Sequence, residues 1–379
     1  MNIKSIIKKI FLIIPVRNII LMESNPDYSD NAKIIFNKLV ENKVNEKYKI
    51  IWFVKDSKKY KNIKIKNVKF ISVYSKYNII EKIKQIYYIF SAKVILDSNK
   101  YIPKVRKKQF RLHLCHGTPL KFVSDYCKEI GDIDYILEIS EFFKTKNSEL
   151  FMKKQEQFLD LGFPRNDELF FKDDIENFFP EYANKNVIVW LPTYRKHENH
   201  DEYKESMLKY GLPAINSAED FEKIDKVLEK NKAVILIKLH PAQDKKVIES
   251  FKCNNIRIIT DNELSEKGIN LYQLLAITNA MITDYSSVYY DYLLTRKPIG
   301  LAITDIEEYI KNVGLAYDYY DTIKGEYIYN SEELCKFIEN LSKGTDKSLD
   351  ERLKCLKLYH TYCDDKSAER VYEFIKKYL

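Results

Sequence analysis

Thr283-Asp284-Tyr285-Ser286-Ser287-Val288-Tyr289-Tyr290-Asp291, closed by Lys297-Pro298, follows the apolar run Leu274-Leu275-Ala276-Ile277-Thr278-Asn279-Ala280-Met281-Ile282. Apolar residues at helical spacing resume after it. The pattern predicts a buried strand that stops at a loop carrying two hydroxyls, with an amphipathic helix starting there. A helix start offers unpaired backbone N–H groups and the positive end of the helix dipole, which suit a phosphate. An ordinary Ser or Asp N-cap produces the same pattern, so the reading depends on its company.

Around this stretch, Asn186 to Leu191, Ala233 to Leu239, Arg257 to Thr260 and Ala280 to Thr283 read as strands. Ala218 to Glu229 and Asn270 to Ile277 read as helices, and Leu349 to Leu379 is mostly helical. The same grammar precedes the polar stretch Lys172 to Asn186. Strands are expected at Asn18 to Ser24, Tyr48 to Val54, Val68 to Val73, Lys93 to Leu96 and Gln109 to Cys115. Helices are expected at Asn31 to Val40 and Ile79 to Phe90. Strands alternating with helices predict α/β architecture with parallel sheets covered on both faces. Two Rossmann-like domains facing an interdomain cleft are the economical reading, with residues 18–172 in the first and 173–379, including the C-terminal helices, in the second.

The chain's 379 residues are too many for one ordinary core, and 45% hydrophobic content is enough for two. The net charge of +8 arises from 63 basic and 55 acidic residues. That balance permits an anionic partner without demanding one. No RNA-binding aromatic signature or zinc-finger spacing occurs, so no nucleic-acid partner is expected. The six cysteines form no C-x-x-C and are expected to be reduced thiols in a cytoplasmic protein. No apolar run is long enough to span a bilayer. In residues 1–17, Lys4, Lys8 and Lys9 interleave with Ile3, Ile6, Ile7, Ile10, Phe11, Ile13 and Ile14 before Pro15. A basic amphipathic helix on an anionic membrane fits this pattern, and so does a helix packed on the first domain.

The chemistry-bearing residues cluster at expected strand ends. His116-Gly117-Thr118-Pro119-Leu120-Lys121 places an imidazole beside a glycine that allows close backbone approach. A histidine there can take a proton from an alcohol near neutral pH. His113 lies an odd number of residues earlier and is expected to face away from His116. Lys238 and His240, two apart before Pro241, are expected to converge on one anion. Pro192-Thr193-Tyr194-Arg195 adds a guanidinium, and Gly162-Phe163-Pro164-Arg165-Asn166-Asp167 is a turn-rich loop with a second one. His197-Glu198-Asn199-His200 is one residue short of H-E-x-x-H. No Walker loop, G-x-G-x-x-G or G-x-S-x-G is present.

Taken in order, these segments resemble the CDP-glycerol glycerophosphotransferase family of teichoic-acid and capsule polyol-phosphate transferases, from about residue 20 to residue 370. The markers are Glu23-Ser24 with Tyr28-Ser29-Asp30-Asn31, then His116 to Lys121, Gly162 to Asp167, Pro192 to Arg195, His240-Pro241 and Thr283 to Ser287. Cys115 and Tyr194 stand where the family commonly carries Trp. The resemblance implies a GT-B-like fold, with residues 18–172 as acceptor domain and 173–379 as CDP-donor domain. It implies transfer of glycerol phosphate or ribitol phosphate from CDP-glycerol or CDP-ribitol to a lipid-linked or oligosaccharide hydroxyl, releasing CMP. His116 is then the base and His240 a second catalytic group or phosphate ligand. Donor contacts fall to Pro192, Thr193, Arg195, Lys238, Asp284, Ser286, Ser287 and Asp291. Acceptor or cleft contacts fall to Glu23, Ser24, Gly117, Thr118, Lys121, Arg165, Asn166 and Asp167. No dedicated metal site is expected, although Mg²⁺ can ride on the pyrophosphate. The expected location is cytoplasmic and peripheral on the inner face of the cell membrane. A nucleotide-sugar glycosyltransferase shares the architecture and is the competing reading.

Overall fold

The computed structural model describes residues 13–73, 79–99, 102–121, 131–193, 208, 210–239 and 253–379. His240, Arg195, Tyr194 and the first 12 residues of the basic N-terminal segment lie outside the described residues. The chain divides into two compact units: Met1–Thr118, Val123–Asp167 and Tyr359–Leu379 form one, and Pro119–Phe122 with Glu168–Leu358 form the other.

The first unit carries a seven-stranded sheet. Its strands are β1 (Arg17–Glu23), β2 (Lys49–Val54), β3 (Val68–Ser72), β4 (Ala92–Asp97), β5 (Phe110–His113), β6 (Tyr135–Leu137) and β7 (Phe158–Leu159), in the order β3-β2-β1-β4-β5-β6-β7. Every pairing is parallel. The last five residues of β1 and of β2 are buried without alternation, as expected for strands covered on both faces. Helix Asp30–Glu41 turns Asn31, Ala32, Ile35, Phe36 and Leu39 inward, a stripe of helical period.

The second unit carries β8 (Asn186–Leu191), β9 (Ala233–Ile237), β10 (Ile256–Ile258), β11 (Ala280–Thr283), β12 (Ile299–Ala302) and β13 (Glu326–Ile328), in the order β10-β9-β8-β11-β12-β13. These pairings are parallel too. Trp190, Phe221, Ile224, Ile235, Ile282 and Phe337 pack in its core. Strand order reverses direction between β1 and β4 in the first sheet and between β8 and β11 in the second. Beyond the carboxyl ends at such a switch point, adjacent loops diverge and leave room for a ligand.

Three expectations need correction. The first concerns the division of the chain, which falls after Asp167 and returns at Tyr359, so the C-terminal helix belongs to the first unit and not the second. Packing explains this. Glu369 pairs with Lys38 at 2.6 Å, and Phe374 meets Tyr135 edge-on at 5.1 Å. Tyr378 stacks on Phe110 at 3.7 Å. The second concerns β5, which ends at His113, three residues before His116. The third is the helix after Ser287, which runs only Val288–Tyr292 with every residue buried, followed by the 3-10 turn Leu293–Thr295. It is not amphipathic, because Val288, Tyr289, Tyr290 and Tyr292 fill the core all round. No helix among the described residues is long and apolar enough to cross a membrane.

Candidate functional site

In the first unit the residues around His116 are held by a dense polar network at the switch point. Asn31, on the first turn of helix Asp30–Glu41, donates from Nδ2 to the carbonyls of Leu114 (2.9 Å) and Cys115 (3.0 Å). Its Oδ1 accepts from the backbone N–H of Arg165 at 3.0 Å. The Arg165 guanidinium donates to both oxygens of Asp30, at 3.0 and 3.2 Å, and to the His116 carbonyl at 2.7 Å. The Leu114 N–H donates to the Asp97 carbonyl at 2.7 Å. Cys115 sits at φ 55° and Gly117 at φ 138°, so the chain turns sharply on both sides of His116. A glycine relieves that turn where a Cβ would strain it.

His116 is exposed to solvent, yet protein surrounds its imidazole closely. That crowding pushes its pKa down, to about 4. Asp30 opposes the shift, while Arg165 and His113 add to it. A pKa lowered from 6.5 leaves a neutral imidazole at neutral pH. The Ser98 backbone bonds to the ring in the sense that favours protonation, as a carbonyl accepting a ring N–H does. A neutral imidazole keeps one unprotonated ring nitrogen, which is the chemistry a general base needs.

Beneath it, Asp97 is wholly buried. Its carboxylate accepts from Arg111 Nη2 and the Ile102 N–H, each at 2.8 Å, and bonds to His113 Nδ1 at 2.8 Å. Burial alone would raise the Asp97 pKa, but Arg111, His113 and the Ile102 N–H outweigh it and hold the carboxyl below its ordinary value. His113 was expected to face away from His116; it bonds to Asp97, yet its charge still reaches His116 and lowers that imidazole's pKa.

Several residues expected to face an acceptor turn inward instead. Glu23 accepts from the Asn99 N–H, and Ser24 accepts from the Ser29 N–H and donates to the Pro26 carbonyl. Thr118 donates to the buried Glu138, which also accepts from Ile139 N–H and Asn147. Asn166 is buried. Asp167 accepts from the N–H groups of Ser367 and Ala368, each at 2.8 Å, and so caps the C-terminal helix. Lys121 is divided from Thr118 by the boundary between units and bridges to Leu315 in the second. Asp30, Asn31, Asp97 and Glu138 were not among the expected site residues, although Asp30-Asn31 lay inside a quoted marker.

In the second unit, Pro192-Thr193 leaves β8 beside the turn that leaves β11, at the switch point. The Thr193 N–H donates to both oxygens of Asp284 at 3.0 Å. The same carboxylate accepts from the Tyr285 N–H at 2.6 Å. Asp284 therefore ties the two strand ends together. Behind it, Tyr319 donates to the Asp284 carbonyl and Tyr285 to Asp305, at 2.8 and 2.9 Å. Asp291 accepts from the Tyr272 hydroxyl at 2.6 Å and is buried. Lys297 donates to the carbonyls of Ala276 and Thr278, which end the preceding helix, and burial pushes its pKa down to about 8. Ser286 and Ser287 are left half-buried at the mouth of this rigid frame. Lys238 pairs with Asp261 at 3.0 Å. Among the described residues no group of three or more His, Cys, Asp or Glu is placed to hold a metal.

The model of the family described as CDP-glycerol:poly(glycerophosphate) glycerophosphotransferase matches residues 6–377. A teichoic acid ribitol-phosphate primase of Bacillus spizizenii is 26% identical over 78% of this chain and 77% of its own. A teichoic acid poly(glycerol phosphate) polymerase of the same organism is 25% identical, over 96% of this chain and 92% of its own. A structure of the wall teichoic acid polymerase TagF aligns with a TM-score of 0.72 at 20% identity, covering 99% of this chain and 95% of that one. This last likeness is one of fold, two Rossmann-like halves in the GT-B-like plan. With its family match running over both switch-point loops, the chain belongs to the CDP-glycerol:poly(glycerophosphate) glycerophosphotransferase family.

Proposed function

We propose that this protein transfers glycerol phosphate or ribitol phosphate from a CDP-activated donor to a hydroxyl of a teichoic-acid chain or lipid-linked primer, releasing CMP. The observation that carries this reading is the family match over residues 6–377, which includes both the His116 loop and the Ser286-Ser287 turn. The acceptor oxygen attacks the phosphorus that bears the polyol. The bond from that phosphorus to the CMP oxygen breaks, and CMP leaves with the electron pair. The acceptor proton passes to the neutral His116 imidazole.

A positioned base contributes about 10²–10⁴-fold to such a step. Ser286 and Ser287 are proposed to donate to the donor's phosphates, joined by Arg195 and His240. Lys238 reaches a phosphate only by exchanging its exposed partner Asp261. Asp284 and Asp291 act through the frame they hold. Any divalent cation arrives on the pyrophosphate.

The membrane location is proposed from the first unit. Ile79, Ile80 and Ile83 are 72, 65 and 53% exposed on one helix that also shows Lys82 and Lys84 to solvent. Residues 43–84 hold 13 lysines and 3 acidic residues, a net +10 against +8 for the whole chain. Exposed isoleucines among lysines suit an anionic bilayer surface. Replacing all three isoleucines by Ser should abolish co-sedimentation with phosphatidylglycerol vesicles; unchanged binding would remove this surface from the proposal.

The transfer reading is tested by product mass from CDP-glycerol and CDP-ribitol with a primer acceptor. Mass gains of one or more polyol phosphates with matching CMP support it. Release of UDP or GDP from nucleotide sugars in place of CMP would overturn it.

A further inference from the structure

Arg165 lies in a loop read from sequence as a contact for acceptor, yet the residue is 7% exposed and its guanidinium is bonded within its own unit. One nitrogen, Nη1, serves both the Asp30 carboxylate and the His116 carbonyl, while the Arg165 backbone N–H is held by Asn31. Asn31 in turn grips the carbonyls of the two residues before His116. Every backbone carbonyl from Leu114 to His116 is thus fixed by a side chain from helix Asp30–Glu41 or by Arg165. We propose that Arg165 and Asp30 are positioning residues for the His116 imidazole, setting both its placement and its protonation. This rests on the reading of His116 as the base.

A free φ at Cys115 or Gly117 would swing the ring, and a displacement of about 1 Å can cost about 10²-fold in rate. The charged or titratable groups facing the ring among the described residues are Asp30 from the helix start, Arg165 from the loop after β7 and His113 from β5; Ser98 after β4 adds its carbonyl. Arg165 opposes protonation of His116 and Asp30 favours it, and each cancels part of the other because they are paired.

Opposite substitutions should therefore move His116 in opposite directions. Arg165→Gln removes the cation and leaves Asp30 uncompensated, so His116 holds its proton to higher pH. Asp30→Asn leaves the guanidinium uncompensated, and His116 loses its proton at lower pH. Arg165→Lys keeps the charge but not the planar two-way grip. It should leave the titration near that of the parent while lowering kcat by about 10-fold or more.

The experiment is histidine NMR titration of the full chain, with the His116 signal assigned by its absence in His116→Ala, alongside pH profiles of CMP release. Opposite shifts of the His116 signal in Arg165→Gln and Asp30→Asn, with lowered kcat and little change in donor KM, are expected. An unmoved His116 signal in both folded variants would overturn the positioning role. Should Arg165→Gln not fold, Arg165→Lys and Asp30→Asn decide the matter: a parent-like kcat in both overturns it. If the His116 signal shifts but the acid limb of activity does not follow, the base reading fails instead.

Discussion

The backbone N–H of Thr193 donates to both carboxylate oxygens of Asp284, 3.0 Å each, joining the carboxyl end of β8 to that of β11. A buried carboxylate with three backbone bonds is a strut. Replacing Asp284 by Ala should cost about 1–3 kcal/mol for each buried N–H left without an acceptor. Denaturant unfolding would show the loss, and donor KM should rise with it as both loops slacken.

Ser286 and Ser287 differ from the wholly buried Asp284 in being half-buried. In Ser286→Ala/Ser287→Ala the fold should melt as the parent does, because among the described residues the Ser286 hydroxyl makes only a long 3.4 Å contact, to Val288 N–H. A hydrogen bond to a charged group is worth about 1.5–3 kcal/mol, or about 10–100-fold in affinity. Calorimetric titration with CDP-glycerol or CDP-ribitol checks this; unchanged donor affinity would remove the phosphate-cradle role.

Asp167 offers a pH test of stability. Burial pushes its pKa up from 3.8 to about 6, against the Ala368 and Ser367 N–H groups that lower it. Between those values the folded chain binds more protons than the unfolded one, so this group's contribution is whole below 3.8 and lost as pH rises through 6. Asp167→Asn cannot ionise. Its denaturation midpoint relative to the parent should therefore climb from pH 4 to pH 7, and a flat difference would contradict the assignment.

Gly162 shows how tightly the C-terminal helix is seated. It sits at φ +82°, and a Cβ there would stand 2.6 Å from Ser367 Oγ. Gly162→Ala should destabilise by about 1–3 kcal/mol through strain and overpacking. Fragment release by limited proteolysis should begin within residues 359–379.

The alternation of strands and helices made both parallel sheets legible, and Ala280–Thr283 fell where the sequence placed it. The short strands Phe158–Leu159 and Glu326–Ile328, of two and three residues, were not legible, because so few residues carry no period. Chain order assigned the C-terminal helix to the second domain; the aromatic contacts of Phe374 and Tyr378 decide otherwise, and such pairings are long-range. At the site, residue types were legible but directions were not. Asp284, Arg165 and Asp167 have the polarity a ligand contact needs, yet each finds its partner in the protein's own backbone or side chains. Asn31 was hidden for the opposite reason, since an Asn at a helix start ordinarily reads as a cap.

The central claim is that His116 accepts the acceptor's proton. A neutral ring with its pKa below 6.5 predicts that the acid limb of kcat/KM for CMP release lies below pH 6.5. The most direct measurement is CMP release by folded His116→Ala from CDP-glycerol and CDP-ribitol with a primer acceptor, followed across that range. The account predicts a fall of about 10²–10⁴-fold and loss of the acid limb, with donor binding retained. Parent-level transfer with the limb unchanged would contradict it.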